Sequence, residues 1–191
     1  MTDKELVAGI VSGNQMCFKQ LVDRYQPLVL NTCNSFLYNK SNAEDITQEV
    51  FIEVFISINK FKREAKLSTW LYRISVNKSL NYIRDNKKRS IVKSIENFFS
   101  GDRNTEIQIA DDDSQFSDVQ DIQQEKIELL QKSIKSLSEN QRIAFTLHKF
   151  ENLSYLQISE VMHLSLSSVE GLIHRAKVNV QKKILKFYKK K

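Results

Sequence analysis

Glycine, proline and cysteine are scarce in this sequence of 191 residues, and each scarcity excludes a class of protein. Four Gly and one Pro are too few for an all-β fold, which needs many tight turns. Cys17 and Cys33 lie inside apolar helical stretches without CxxC spacing, which predicts buried free thiols. No apolar run reaches about 18 residues, and the N-terminus lacks an apolar h-region. We therefore expect a cytoplasmic protein that inserts into no membrane.

Residues that could form a metal centre or a catalytic site are also missing. His148, His163 and His174 have no Cys or carboxylate partners at ligand spacing. The sequence shows neither paired carboxylates nor a nucleophile with a nearby base. We predict that the protein is not an enzyme and uses no metal and no cofactor.

Charge is distributed unevenly around a net value of +6. Residues 1–90 carry 14 Lys and Arg against 9 Asp and Glu, a net +5. Residues 91–125 carry 2 against 9, a net −7, and residues 126–191 carry 13 against 5, a net +8. Basic lobes attract nucleic acid through counterion release, although a solvated Lys-rich surface would give the same count. The motifs decide between these two interpretations.

Apolar residues recur at helical spacing through residues 1–90, which predicts several amphipathic helices. One helical face consists of Phe18, Leu21, Val22 and Tyr25. Pro27 should interrupt that helix, because proline lacks the N–H that a helix interior needs. The capping box Ser41-Asn-Ala-Glu44 should begin the next helix. Its buried stripe consists of Ile46, Val50, Phe51, Val54, Phe55 and Ile58. A further helix is predicted from Ser68 to about Asn86.

An acidic stretch without helical periodicity separates two helical lobes. We predict an all-α fold in which residues 1–90 form one domain, 91–123 an acidic flexible linker, and 124–191 a second domain. A coil of about 33 residues spans on the order of 30 Å, and more if extended. One turn of duplex DNA measures about 34–36 Å, so the two lobes can reach separate DNA elements.

Three capping boxes close together predict three helix starts in the second lobe. They begin at Ser138, Ser154 and Ser167. A short turn at His163–Leu166 separates the last two helices, which is the arrangement of a DNA-binding helix-turn-helix. Residues at the start of the second of these helices should face the major groove: Ser167, Ser168, Glu170, Gly171, His174, Arg175 and Lys177. Glu170 has an alternative role, because it could close the Ser167 capping box.

Two polar faces stand out in the first lobe. Asp45, Gln48, Glu49 and Ile52 form a ridge, which suits a basic protein partner or is an ordinary solvated face. A second face, together with the loop before it, carries cations, donors and aromatic rings suited to opened DNA: Lys62, Lys66, Trp70, Arg73, Asn77, Asn81, Arg84 and Lys88. For Trp70, core packing is the alternative.

These motifs resemble the bacterial sigma-70 family, in particular its extracytoplasmic-function (ECF) group. The stretch from Ala43 to Phe51 resembles the segment that binds core polymerase, and Ser68–Ile74 with Asn77, Asn81 and Arg84 resembles the helix that melts and reads the minus-10 element. Leu137–Arg142 and the segments that follow resemble the domain that reads the minus-35 element. The resemblance covers residues 5–187.

This resemblance implies a role for each face. The acidic ridge would bind the clamp helices of the largest polymerase subunit, and the loop from Phe61 to Leu67 would capture a flipped base. The acidic linker would follow the polymerase's RNA path. Promoter DNA, core RNA polymerase and an anti-sigma protein are the expected partners. At Glu170, Gly171 and Leu172 the sequence departs from the basic residue, Ser and Arg that many members carry, so its minus-35 sequence cannot be transferred from them.

Two functions therefore remain at the level of the sequence. The first is an alternative sigma factor that directs core polymerase to promoters and helps to open the DNA. The second is a stand-alone helix-turn-helix regulator that binds promoter duplex without polymerase. The promoter sequence, the regulon and the inducing signal are not encoded in these motifs.

Overall fold

The computed structural model describes the backbone of residues 1–61, 65–99 and 118–189, and side chains within 1–61, 65–91 and 124–189. Within these ranges the chain is all-α and contains no strand, as predicted. A 3₁₀ turn, Ile58–Lys60, follows the third helix. The helices are α1 Asp3–Val11, α2 Gln15–Leu37, α3 Lys40–Ser57, α4 Leu67–Phe99, α5 Asp118–Lys135, α6 Glu139–Lys149, α7 Tyr155–Met162 and α8 Leu166–Tyr188.

The described residues form two compact units. The first contains Met1–Tyr82 and Ser138–Lys177, and the second contains Ile83–Leu137 and Val178–Lys191. The first unit therefore includes residues from both predicted domains. Helix α4 continues to Phe99 and α5 begins at Asp118, so helices extend into both ends of the predicted linker. Residues 100–117 lie outside the described part of the chain.

Helix α2 is continuous, so the predicted interruption at Pro27 is wrong. Pro27 is exposed, and its ring removes one backbone hydrogen bond from a helix of 23 residues. Leu21, Val29 and Cys33 on both sides of it are buried in one core. Burial of an apolar face contributes more to helix stability in a protein than one backbone bond does, and the helix therefore continues.

The first three helices and the start of α4 share a hydrophobic core. Both cysteines lie in it as buried free thiols, as predicted, and burial raises the pKa of Cys33. A polar cluster holds α1 against α2. The Asp3 carboxylate accepts hydrogen bonds from Arg24 at 2.9 Å and from the Tyr25 hydroxyl at 2.7 Å. Burial and the neighbouring Asp3 raise the pKa of Tyr25 to about 12, which keeps it a donor.

The start of α3 is displaced from its predicted position, whereas that of α6 is not. Helix α3 is capped by Asn39, whose side chain accepts a bond from the Asn42 amide at 2.9 Å. Ser41 therefore lies inside α3 and the predicted capping box there is wrong. Asn is as good an N-cap as Ser, so the two signals competed and spacing alone did not separate them. Ser138 does cap α6, but without a side-chain hydrogen bond.

Candidate protein and nucleic-acid interfaces

The acidic ridge lies on the exposed side of α3. Asp45, Gln48 and Glu49 are exposed, and Ile52 is exposed over 59% of its surface. The opposite side of α3 is buried in the core, so core packing fixes the direction in which the ridge points. An exposed isoleucine beside carboxylates gives the surface both charge and apolar area, which is the composition of a protein-binding site.

A lysine from α4 lies beside the ridge. Lys78 Nζ is 4.0 Å from Glu49 Oε2 and 3.5 Å from Glu53 Oε2. Exposed pairs of this kind contribute about 0–1 kcal/mol. In the free protein the Lys78 ammonium therefore offsets part of the negative charge of Glu49. A partner that displaces Lys78 from the ridge loses little free energy by doing so.

An apolar groove, which the sequence pattern did not predict, runs beside the ridge. Gln48 and Ile52 of the ridge line it together with Phe18, Val22 and Phe55. Phe55 was predicted to be in the core but is 56% exposed, because it lies at the edge of the stripe next to Ile52. Its ring meets Phe18 edge to face, with centroids 5.0 Å apart. The ridge and the groove together form one continuous amphipathic surface.

The predicted minus-10 face follows α4. Asn77, Asn81, Arg84 and Lys88 are exposed, with Arg84 and Lys88 on the part of α4 that belongs to the second unit. Arg73 is only half exposed, because its guanidinium donates to the backbone carbonyl of Glu160 on α7. Lys66 is exposed before the helix, and Lys62 lies outside the described residues.

Trp70 was given two interpretations, core packing and a face for opened DNA, and its side chain is partly packed and partly exposed. Its ring lies 5.2 Å from that of Phe61 and packs against the core, yet it stays half exposed. Next to this pair lies a pocket whose walls are Asp3, Lys4, Val7, Phe61, Ala65, Lys66, Leu67, Ser68 and Glu160. The pocket combines an aromatic ring, two cations and two carboxylates.

Helices α7 and α8 form the predicted helix-turn-helix. The capping box at Ser154 is complete, with the Ser154 amide donating to Gln157 Oε1 at 2.9 Å. His163 ends α7 in the left-handed conformation, at φ 53°. On α8, the predicted inward residues Val169, Ile173, Ala176 and Val180 are buried. Because this side of α8 is buried, the opposite side of its N-terminal part faces outward.

The N-cap of α8 is Ser165 rather than the predicted Ser167. The Ser165 carbonyl accepts from the Val169 amide at 3.1 Å, and its Oγ accepts from the Ser168 amide at 3.2 Å. The capping interpretation of Glu170 is therefore wrong, because no capping box starts at Ser167. Glu170 is exposed on the open side of α8.

The remaining predicted minus-35 residues lie along the start of α8. Ser167, Ser168, His174 and Arg175 are exposed, whereas Gly171 and Lys177 are half exposed. The guanidinium of Arg175 lies over Gly171. A Cβ added at position 171 would be only 3.2 Å from Arg175 Nη1. A larger residue at position 171 would move this cation.

Two family models match separate parts of this chain. The Sigma-70 region 2 family model matches residues 21–89, and the Sigma-70 region 4 model matches residues 127–180. The ECF RNA polymerase sigma-E factor of Haemophilus influenzae is 30% identical over 189 residues, covering 96% of each chain. That of Escherichia coli K12 is 31% identical over 189 residues, covering 96% of this chain and 95% of its own.

Solved structures show the same fold. CnrH, solved in complex with the cytosolic domain of CnrY, matches with a TM-score of 0.65 and 21% identity over 95% of this chain and 96% of its own. The Bartonella quintana sigma factor RpoE, solved with the anti-sigma factor NepR, matches with a TM-score of 0.59 and 18% identity over 87% of this chain and 96% of its own.

An all-α chain with a helix-turn-helix and the two sigma-70 regions in this order is a transcription initiation factor. The chain belongs to the sigma-70 family of RNA polymerase sigma factors, in the ECF group. It directs RNA polymerase to promoters as an alternative sigma factor. In the described part of the chain, no helix is long and apolar enough to cross a membrane.

Proposed function

We propose that this chain binds core RNA polymerase through the ridge and groove of α3 and reads promoters with α4 and α8. The observation that carries the assignment is the amphipathic surface of α3. Carboxylates repel DNA, whereas Ile52 and Phe55 offer apolar area to a protein partner. The contact residues are Asp45, Gln48, Glu49 and Ile52.

Charge reversal on the ridge tests this contact. In the double variant Asp45→Lys/Glu49→Lys we expect binding to core polymerase to be lost, because two attractive contacts become repulsive. Both residues are exposed, so circular dichroism and the melting temperature should stay near those of the wild type. The control is Asp23→Lys/Glu139→Lys, with the same change of charge at exposed sites on α2 and α6. Unchanged co-purification of the ridge variant with core contradicts the proposal.

On the DNA, α4 and the loop before it would contact the opened minus-10 element through Lys62, Lys66, Trp70, Arg73, Asn77, Asn81, Arg84 and Lys88. Exposed amides and cations along one helix suit the edges of unpaired bases and the phosphates between them. The pocket lined by Phe61, Lys66 and Leu67 would receive a base that leaves the stack, at a cost of a few kcal/mol that polymerase binding offsets.

Helix α8 would read the minus-35 duplex through Ser167, Ser168, Glu170, Gly171, His174, Arg175 and Lys177. Glu170 is the distinctive member, because a carboxylate in the major groove accepts from the amino group of cytosine. In Glu170→Gln we expect discrimination at one base pair to fall by about 1–3 kcal/mol. A selection from randomised minus-35 duplexes measures this, and an unchanged base preference would contradict the assignment.

The protein would act in the cytoplasm, where polymerase and promoters are, under an anti-sigma protein. This proposal is supported by the two solved structures of similar fold, one determined with the cytosolic domain of CnrY and the other with the anti-sigma factor NepR. Affinity purification of the native protein from unstressed cells should recover a second protein in stoichiometric amount. Recovery of the sigma factor alone would count against it.

A further inference from the structure

We propose that Gly171 positions the guanidinium of Arg175 to read one guanine of the minus-35 element, and is therefore a specificity-determining residue of α8. The proposal rests on the assignment of α8 to the minus-35 duplex. It adds to that assignment the group that reads one base pair and the residue that places this group. Both residues lie in the first compact unit.

The first observation is the place of Gly171 on α8. Val169 and Ile173, two residues before and after it, are both fully buried. Two residues of an α-helix turn the side-chain direction by about 200°, so position 171 faces almost directly away from this buried side. The N-terminal turns of a recognition helix present their open side to the base edges of the major groove. A side chain at position 171 would therefore be among the first groups to meet the bases.

The second observation is that the backbone does not require a glycine at this position. Gly13 has a positive φ of 86°, and a Cβ at Gly9 would collide with Cys17, so these two glycines have structural reasons. Gly171 lies inside α8, where alanine is the more favourable residue. The three heavy atoms nearest to a Cβ built there all belong to the Arg175 guanidinium: Nη1 at 3.2 Å, Nη2 at 3.6 Å and Cζ at 3.7 Å. The glycine therefore provides room for this group.

The third observation is the direction of the Arg175 side chain. Arg175 follows Gly171 by four residues, which is about 6 Å along the helix axis. Long side chains on a helix lean toward its N-terminus, and here the guanidinium has returned to the level of Gly171. It covers the glycine, which is only half exposed on the open side of the helix. The positive charge of Arg175 therefore lies over the part of α8 that enters the groove.

The chemistry of the guanidinium identifies the base. Its N–H groups form a rigid planar fork that matches O6 and N7 of guanine, whereas the ammonium of a lysine has no such fork. Among the residues that the structure describes, Arg175 takes part in no ion pair, so no carboxylate competes for these donors. Both hydrogen bonds need distances of about 2.7–3.2 Å. The preference for guanine therefore depends on where Gly171 lets the guanidinium lie.

The test uses a graded series of variants. Gly171→Ala adds a Cβ at 3.2 Å from Nη1, so the guanidinium must move by a few tenths of an ångström. Gly171→Ser adds a hydroxyl as well and should move it further. Arg175→Ala removes the guanidinium, and Arg175→Lys keeps the charge without the fork. The control is Gln181→Ala, which places an alanine at an exposed position of the same helix, away from its first turns.

Each full-length variant is combined with core polymerase and selected for binding on promoters with a randomised minus-35 region. The base pair whose preference Arg175→Ala and Arg175→Lys both abolish is the one that Arg175 reads. The wild type should favour guanine there by roughly 5- to 150-fold, the range of a good bidentate pair. We expect this preference to fall about tenfold in Gly171→Ser and about threefold in Gly171→Ala. Preferences at the other base pairs, and all preferences in Gln181→Ala, should stay unchanged.

A double variant separates displacement of Arg175 from a collision between residue 171 and the DNA. If Gly171 acts through Arg175, then Gly171→Ser/Arg175→Ala should show the same guanine preference as Arg175→Ala. A serine that collides with the DNA would instead lower affinity for every sequence by one factor and leave the guanine preference intact. Gly171→Ala should melt at or above the wild-type temperature, because alanine is the better helix former, so its loss of selectivity cannot come from unfolding.

The outcomes distinguish this proposal from the assignment on which it rests. If the wild type selects a minus-35 sequence and both Gly171 variants keep its guanine preference, the proposal fails and the assignment of α8 stands. The same holds if Arg175→Ala loses no base preference. If the wild-type holoenzyme binds every minus-35 sequence equally, the assignment of α8 fails, and the proposal fails with it.

Discussion

The cap of the recognition helix provides the sharpest test of the local structure. Ser165 is the N-cap of α8, since its Oγ accepts from the Ser168 amide at 3.2 Å. Replacing an N-cap serine by alanine leaves one amide of the first turn without its partner. Such a loss costs about 1 kcal/mol. For a chain of this length, that corresponds to a fall in melting temperature of roughly 2–4 °C.

Three variants distinguish the cap from its neighbours. Ser165→Ala should show the full loss, whereas Ser165→Asp should retain stability, because aspartate also caps and its charge favours a helix N-terminus. Ser167→Ala should change the stability by only a few tenths of a kcal/mol, since Ser167 lies inside the first turn and alanine is the better helix former. Urea unfolding followed by circular dichroism gives the free energies. A larger loss in Ser167→Ala than in Ser165→Ala would refute the assignment of the cap.

Two further predictions concern the first compact unit. Gly9→Ala should destabilise the protein by about 1–3 kcal/mol, because the new Cβ would lie 2.3 Å from Cys17 Sγ. The double variant Gly9→Ala/Cys17→Ala should recover most of that loss. Thermal melts in which Gly9→Ala is stabilising would contradict this packing. Burial raises the pKa of Glu151 above 4.5, so the folded protein holds this proton more tightly than the unfolded chain does. Its contribution to the free energy of unfolding should therefore fall as pH rises from 4.5 through the raised pKa. Glu151→Gln should flatten that part of the stability profile, whereas an unchanged profile assigns the pH dependence to other groups.

The helices and their buried faces could be predicted because periodicity reports directly on which side of a helix meets the core. The inward residues of α8 are an example, since Val169, Ile173 and Ala176 are buried as their spacing requires. The exposed ridge on α3 could be predicted for the same reason, as the complement of a buried stripe.

Helix ends and stripe edges were harder to predict. Ser165 and Ser167 are both good caps by composition, and only the direction of the chain after His163 decides between them. Pro27 lies in a continuous helix because the core on both sides of it outweighs one missing bond. Phe55 is exposed because it lies at the edge of the stripe.

The contact between Arg73 and Glu160 could not be predicted by sequence reasoning. The two residues are 87 positions apart, and the acceptor is a backbone carbonyl that any residue at position 160 would supply. Glu151 gives a similar example, because its partner Ser35 is 116 positions away and has no charge to suggest the pairing. Contacts of this kind depend on how lobes meet, which local patterns do not encode.

Run-off transcription on a library of genomic fragments tests most directly whether this chain recruits polymerase to promoters through α3. Core RNA polymerase with this chain should initiate at a discrete set of start sites that share one minus-10 and one minus-35 element. Core alone, or core with Asp45→Lys/Glu49→Lys, should not produce these transcripts. A wild-type chain that adds no start site, or a charge-reversed chain that adds the same sites, would contradict recruitment of polymerase through the ridge of α3.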